Sequence, residues 1–322
     1  MRSLVVLLGL ALSLSSMAAD VSRSQPAEMA PRASQALLTR ITAAGSQLVA
    51  VGARGHILRS TDGAQWTQSA SPVNALLTSV FFLDARQGWA VGHDATILQT
   101  DDGGDRWTIQ HFDPSLNLPL LDIVFTSPQR GVAIGAYGLM LQTEDGGRSW
   151  TRTESALTEE GLHFNALSRL RDGALLLVGE QGMLAHSKDE GRTWQRLESP
   201  YASSLFAAVP WGEHGAMIGG LRGNVYRSEA ADIAGWQRID LPRVESVFGM
   251  AVLPDGGVGL VGLNTSLQIV DADGSVPALR WSISTAQTGI ELGSLSSLVP
   301  WNDRIVSVGD AGVIVWSLTS PH

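Results

Sequence analysis

Tyr137, Glu180, Arg54 and Arg222 are the residues of this chain whose types would do chemistry if they converged. A tyrosine nucleophile backed by a glutamate, with guanidinium groups gripping a substrate carboxylate, is one way to open a glycosidic bond. Arginine suits the last task because its planar fork can hold a carboxylate through two parallel bonds. Two carboxylates about 5–9.5 Å apart are another route to the same reaction, and Asp94, Glu180 and Asp310 are the candidate acids. Other chemistries lack their parts. The chain has no cysteine, which removes thiolate nucleophiles, thiolate metal sites and disulfides. Its seven histidines are scattered singly, with no His-x-x-x-His pair, so no metal site is expected. No Gly-x-Ser-x-Gly elbow is present, and His93-Asp94 reads as a polar turn rather than a catalytic pair. Lys188 is the only lysine, so there is no lysine-based phosphate loop, and no cofactor is expected.

Charge narrows the partners. Lys and Arg total 22 against 31 Asp and Glu, a net charge of −9. Nucleic-acid binding rests on Lys and Arg neutralising phosphates, so nucleic acid is a poor partner. Met1-Arg2, an apolar stretch from Leu4 to Leu14, and Ser15-Ser16-Met17-Ala18-Ala19 have the order of a secretory signal peptide. Cleavage after Ala18 or Ala19 is expected, giving a signal over 1–19 and a mature chain over 20–322. The apolar run is shorter than the ~18 residues that an anchor needs. No other segment is long and apolar enough to span a bilayer, so the expectation is an exported, monomeric protein, periplasmic in a Gram-negative host.

The elements that would position these residues come from a repeat. Leu76–Trp107, LLTSVFFLDARQGWAVGHDATILQTDDGGDRW, matches Leu120–Trp150, LLDIVFTSPQRGVAIGAYGLMLQTEDGGRSW, almost residue for residue. Further copies bring the count to seven, anchored on Gly52, Gly92, Gly135, Gly179, Gly220, Gly262 and Gly309. A period of this kind, with strands and turns inside it, reads as propeller blades or a solenoid. Each module offers four short strands, A to D, bounded by Gly, Asp and Pro. The expectation is an all-β, single-domain, seven-bladed β-propeller of four-stranded antiparallel blades. The blades run over about 36–75, 76–119, 120–161, 162–204, 205–246, 247–293 and 294–318. The last module stops after strand C, so an N-terminal strand over Ser24–Ala33 is expected to close the ring and cover its edge.

Between strands C and D the chain repeats Ser/Thr-x-Asp-x-Gly-x-x-Trp, at Thr100–Trp107, Thr143–Trp150 and Ser187–Trp194, and one residue shorter at Ser60–Trp66. The Asp accepts backbone N–H bonds across a turn, the Gly takes angles closed to other residues, and the Trp packs between blades. Asp62, Asp102, Asp145 and Asp189, with Trp66, Trp107, Trp150 and Trp194, are therefore read as structural. This is the Asp-box, or bacterial neuraminidase repeat, found in sialidases, sortilin-type receptors and other propellers. The Phe/Tyr-Arg-Ile-Pro segment of sialidases is absent.

The wider module, LLDIVF, RGVAIG and QGWAVG, GLMLQTEDGGRSW and TILQTDDGGDRW, resembles the photosystem II stability/assembly factor repeat. The resemblance covers about 36–318 and is strongest in blades 1 to 4. It implies an exported, non-enzymatic seven-bladed propeller. In phototrophs that family helps a newly made reaction-centre protein assemble through an arginine patch. Relatives in non-photosynthetic bacteria, proteobacteria among them, tend to be encoded beside RND-type exporters. The resemblance thus implies a scaffold for a membrane or periplasmic protein complex, an RND-type exporter ahead of a photosystem. A sialidase-like glycoside hydrolase or a glycan-binding propeller is the alternative.

In a propeller the B–C and D–A loops share one face. The B–C loops follow the anchor glycines and present Arg54 and His56, His93 and Asp94, Tyr137, Glu180 and Gln181, Arg222 and Asn224, Asn264, and Asp310. This ring is the candidate partner site, with Arg54 and Arg222 suited to an acidic partner. Trp211 and Trp301 each follow Val-Pro at an A–B turn; they either pack onto the hairpin or form an anchor on the opposite face.

Overall fold

A computed structural model of the chain describes residues 24–230, 232–277, 281–283 and 293–318; the expected signal segment lies outside them. The innermost strands, A of blades 1 to 7, are Leu38–Ala44, Leu77–Phe82, Leu120–Phe125, Phe164–Arg169, Leu205–Trp211, Val247–Val252 and Leu295–Trp301. Each pairs antiparallel with strand B, and B with C, through tight connections. The A strands pack side by side in a closed ring, blade 7 against blade 1. The protein is an all-β, seven-bladed propeller. Among the described residues the one α-helix is a single turn, Ala156–Glu159.

Strands B read as unbroken apolar runs, such as Leu175–Gly179, and every residue in that strand is buried. Such runs fit a strand covered on both faces, as blades are by their neighbours. The core accordingly lies between adjacent blades. One cluster joins Val124, Val132 and Ile134 of blade 3 to Phe164, Leu175 and Leu177 of blade 4, and another joins Leu38, Leu48 and Leu58 of blade 1 to Val306, Val308 and Val313 of blade 7.

The ring does not close as the repeat suggested. Residues 24–30 form no strand, and a 3-10 turn follows at Ala33–Gln35. Pro26 and Pro31 carry no N–H for a ladder. The segment instead lies along the outer side of blade 1: Gln68 accepts from the Ala30 N–H at 2.8 Å and donates to the Glu28 carbonyl at 2.9 Å. Ala33 is buried in the cluster between blades 1 and 7. The fourth strand of blade 7 is Trp281–Ile283, antiparallel to Gly312–Leu318 with Ile283 opposite Trp316. Trp281, counted with blade 6 from the repeat, thus serves the next blade. Blade 6 has three strands among the described residues. No helix of the described residues is long and apolar enough to cross a membrane.

Candidate functional site

Each B–C connection in blades 1 and 3 to 6 is a three-residue 3-10 turn whose middle residue takes left-handed angles: Arg54 (φ 56°), Tyr137 (52°), Gln181 (52°), Arg222 (56°) and Asn264 (55°). Asp94 (φ 58°) does the same in blade 2. Non-glycine residues rarely sit in this region. Six blades repeat it, and it pushes one side chain per blade out of the turn. Arg54, Tyr137, Gln181, Arg222 and Asn264 are all exposed, Tyr137 to 62%. Gln181 is the projecting residue of blade 4, and Glu180 lies beside it, half-buried.

The D–A loops lie on the same face. Gly138 donates to the Leu162 carbonyl at 2.8 Å and Gly182 to that of Ser203 at 3.0 Å. At Gly55 a Cβ would drive into the Val73 carbonyl, so only glycine admits the D–A loop that closely. The anchor glycines do a related job. Their Cβ atoms would strike the carbonyl that precedes strand A of the same blade, which explains why the B–C turn always follows a glycine.

The structure gathers some candidate residues and separates others. Tyr137 and Glu180 meet around His163: the two rings make an edge contact at 4.6 Å, and Glu180 Oε2 accepts the His163 backbone N–H at 3.2 Å. Asp310 Oδ2 is held by the Ser294 N–H at 2.8 Å. Asn264 donates to Glu245 Oε1 at 3.3 Å. His93 is exposed and Asp94 half-buried in the blade 2 turn. Arg54 and Arg222 stand on blades 1 and 5; the acids Asp94, Glu180 and Asp310 stand on blades 2, 4 and 7, so no two of the acids are on adjacent blades. No group of three or more His, Cys, Asp or Glu side chains among the described residues is placed to hold a metal ion. The arrangement is a ring of separate polar and aromatic contacts suited to a broad partner.

The Asp-boxes occupy the C–D turns. In blade 2, Thr100 Oγ1 donates to Asp102 Oδ1 at 2.9 Å and accepts the Gly104 N–H at 2.9 Å. Asp102 Oδ1 also accepts the Arg106 N–H, and Trp107 Nε1 donates to the Gly104 carbonyl. The bonds recur at Asp62, Asp145 and Asp189, and Trp66 and Trp194 donate as Trp107 does. The Ser149 hydroxyl and N–H hold the Asp145 carboxyl down to a pKa of about 2. The boxes of blades 2 and 4 also fasten to the blade before them: Gln47 donates to Gly103 O at 2.6 Å, Ser69 to Gly104 O at 2.7 Å and Gln142 to Gly191 O at 2.6 Å. Trp150 packs in the cluster of blades 2 and 3, against Phe125. Trp211 is buried beneath the Arg227 guanidinium, and Trp301 packs between blades 7 and 1, so neither forms an exposed anchor.

Two features of the inner strands were not singled out from the sequence. Every A strand carries a bulge at its second residue. Where that residue is polar it reaches the next blade: Thr39 to Leu77 O at 2.7 Å, Thr78 to Leu120 O at 2.7 Å, Asn165 to Leu205 O at 2.8 Å and Ser296 to Leu38 O at 2.9 Å. Asp122, 2% exposed, binds four consecutive blades. Its carboxylate accepts from Ser79 Oγ (2.6 Å), its neighbour Ile123 N (2.9 Å) and Leu167 N (2.8 Å), with Arg40 at 3.9 Å. A charged residue inside LLDIVF was the available signal.

Burial also lowers the pKa of His56, with Arg54 adding to it, and that of His111. Unfolded histidines take up protons first as pH falls, so stability is complete above their ordinary pKa of about 6.5 and declines below it. Urea unfolding at pH 7.5 and 5.5 is expected to show a lower midpoint at the acid pH. The drop should shrink in His56→Gln and His111→Gln; an unchanged drop would place the acid sensitivity elsewhere.

A family model described as Photosynthesis system II assembly factor YCF48 matches residues 57–118 and 110–239. This chain belongs to that family. A 58-residue stretch is 40% identical to photosystem II stability/assembly factor HCF136, chloroplastic, of Guillardia theta, covering 16% of this chain and 15% of that protein. The fold is similar to a structure of YCF48 bound to D1 peptide, with a TM-score of 0.67, 18% identity, and 89% and 94% of the two chains covered. It is also similar to YCF48 from Cyanidioschyzon merolae, with a TM-score of 0.69, 16% identity, and 88% and 96% covered. Virginiamycin B lyase from Staphylococcus aureus superposes with a TM-score of 0.72 at 11% identity, over 93% and 99% of the chains. At such identities the likeness concerns the fold, which hosts unrelated functions.

Proposed function

We propose that this YCF48-family propeller is a non-catalytic assembly factor, exported to the periplasm, that presents its B–C face to a membrane protein complex. The observation that carries the reading is the ring of left-handed turn residues, which projects an exposed side chain from blade after blade without gathering a reactive cluster. The YCF48 structure with a bound D1 peptide supports a protein partner. The N-terminal 1–19 segment supports export. An RND-type exporter is the partner we favour over a photosystem, on the resemblance to relatives in non-photosynthetic bacteria.

Arg54 and Arg222 supply the positive charge of the face for an acidic segment. Both are exposed, so replacing them should leave folding intact. Co-purification from detergent-solubilised envelopes is expected to recover a membrane protein complex with the wild-type chain. The Arg54→Ala/Arg222→Ala variant should recover at least about tenfold less, the loss of a charge-assisted bond or two. Equal recovery would remove the B–C arginines from the interface.

A further inference from the structure

The ring encloses a cavity of about 220 Å³ on the propeller axis, lined by inner-strand residues of all seven blades. Its charged lining is Arg40 from blade 1 and Arg169 from blade 4, with no acid in the wall itself. Asp122 lies just behind, but its oxygens are taken by Ser79, Ile123 and Leu167, and Arg40 reaches it only at 3.9 Å. Arg169 is exposed and has no ion pair among the described residues. The channel therefore carries one positive charge in excess, in a chain of net charge −9. Phe81, Val124, Val209 and Met250 give the wall apolar surface, and Thr42 and Ser168 add hydroxyls, so that polar and apolar lining alternate. Small-ligand sites are likewise concave, with apolar side chains beside a few placed polar groups.

We propose that the axial channel binds a carboxylate attached to a small apolar body, with Arg169 holding the carboxylate and Arg40 contributing charge from across the ring. One excess positive charge fits a monoanion, and the aliphatic and aromatic wall fits its hydrocarbon part. Arg169 and Arg40 lie on inner strands, so this site is separate from the B–C ring and does not depend on the partner bound there. The same chemistry is offered by a free short-chain acid or by the carboxyl terminus of an apolar peptide.

Ligand-observed NMR at low ionic strength with hexanoate, hexanamide and N-acetyl-Ala-Leu tests this. Hexanoate is expected to bind and its neutral amide not to. Arg169→Gln should weaken hexanoate binding at least about tenfold, as loss of a charge-assisted bond does. Arg169→Lys should retain part of the affinity, and both variants should unfold at the wild-type urea midpoint. Displacement of hexanoate by the dipeptide would identify a chain terminus as an occupant. Failure of the dipeptide to compete would leave the free acid, and both outcomes keep the carboxylate site. Equal binding of hexanoate and hexanamide, indifference to Arg169→Gln, or no binding of hexanoate would overturn it.

Discussion

Asp122→Ala is expected to lower the stability of the propeller by about 3–5 kcal/mol, the range for removing one member of a buried charged network. The size follows from where the carboxylate sits. It is 2% exposed and accepts the backbone N–H groups of Ile123 and Leu167 and the Ser79 hydroxyl. Alanine leaves these donors buried without partners, at about 1–3 kcal/mol for each that water cannot reach. Arg40 simultaneously loses its only acidic neighbour among the described residues. Because the donors come from blades 2, 3 and 4, the loss should loosen the ring rather than one blade. Asp122→Asn separates charge from shape: it keeps one acceptor oxygen and turns an amide N–H₂ toward donors, so an intermediate loss is expected. Urea unfolding measures both. A wild-type midpoint for Asp122→Ala would mean that the inner ring is held by strand packing alone.

Trp107→Ala should cost about as much, roughly 3–5 kcal/mol for a buried tryptophan. The indole is 6% exposed and packs with Val49, Val51 and Ile57 of blade 1 and Val80 and Leu98 of blade 2. Phe82 meets it edge-on at 6.1 Å, and its N–H caps the Asp-box turn at Gly104. Truncation opens a cavity between two blades, which cannot collapse without shifting the ring. Trp107→Phe should recover part of the loss by filling some of that space, while leaving Gly104 O without the indole donor. Thermal or urea unfolding of the two variants checks the order. Equal stability of Trp107→Ala and wild type would show that the box tryptophan does not join the blades.

The blades were legible because a propeller writes its period into the chain. Each copy needs a glycine where strand B meets the carbonyl before strand A, and the first four carry a Ser/Thr-x-Asp-x-Gly-x-x-Trp turn, one residue shorter in blade 1, between strands C and D. Ring closure was not legible. Ser24–Ala33 was available by count, but a count cannot see that Gln68 holds this segment with its side chain, or that Trp281–Ile283 pairs one blade further on. The B–C positions were readable as polar turn residues after each anchor glycine. Which one projects depends on backbone angles, so Gln181 rather than Glu180 points out of blade 4. Asp122 and Arg169 occupy inner strands, where a charge reads as an exception to an apolar pattern; only the closed ring shows what surrounds them.

Photo-crosslinking from position 222, compared with position 188 on a C–D turn, tests most directly whether the B–C face meets a membrane protein complex. With mass spectrometry of adducts from envelope preparations, a specific membrane-protein adduct is expected at 222, lost on Arg54→Ala and absent at 188. The same faint background at both positions would contradict the assembly-factor reading of this face.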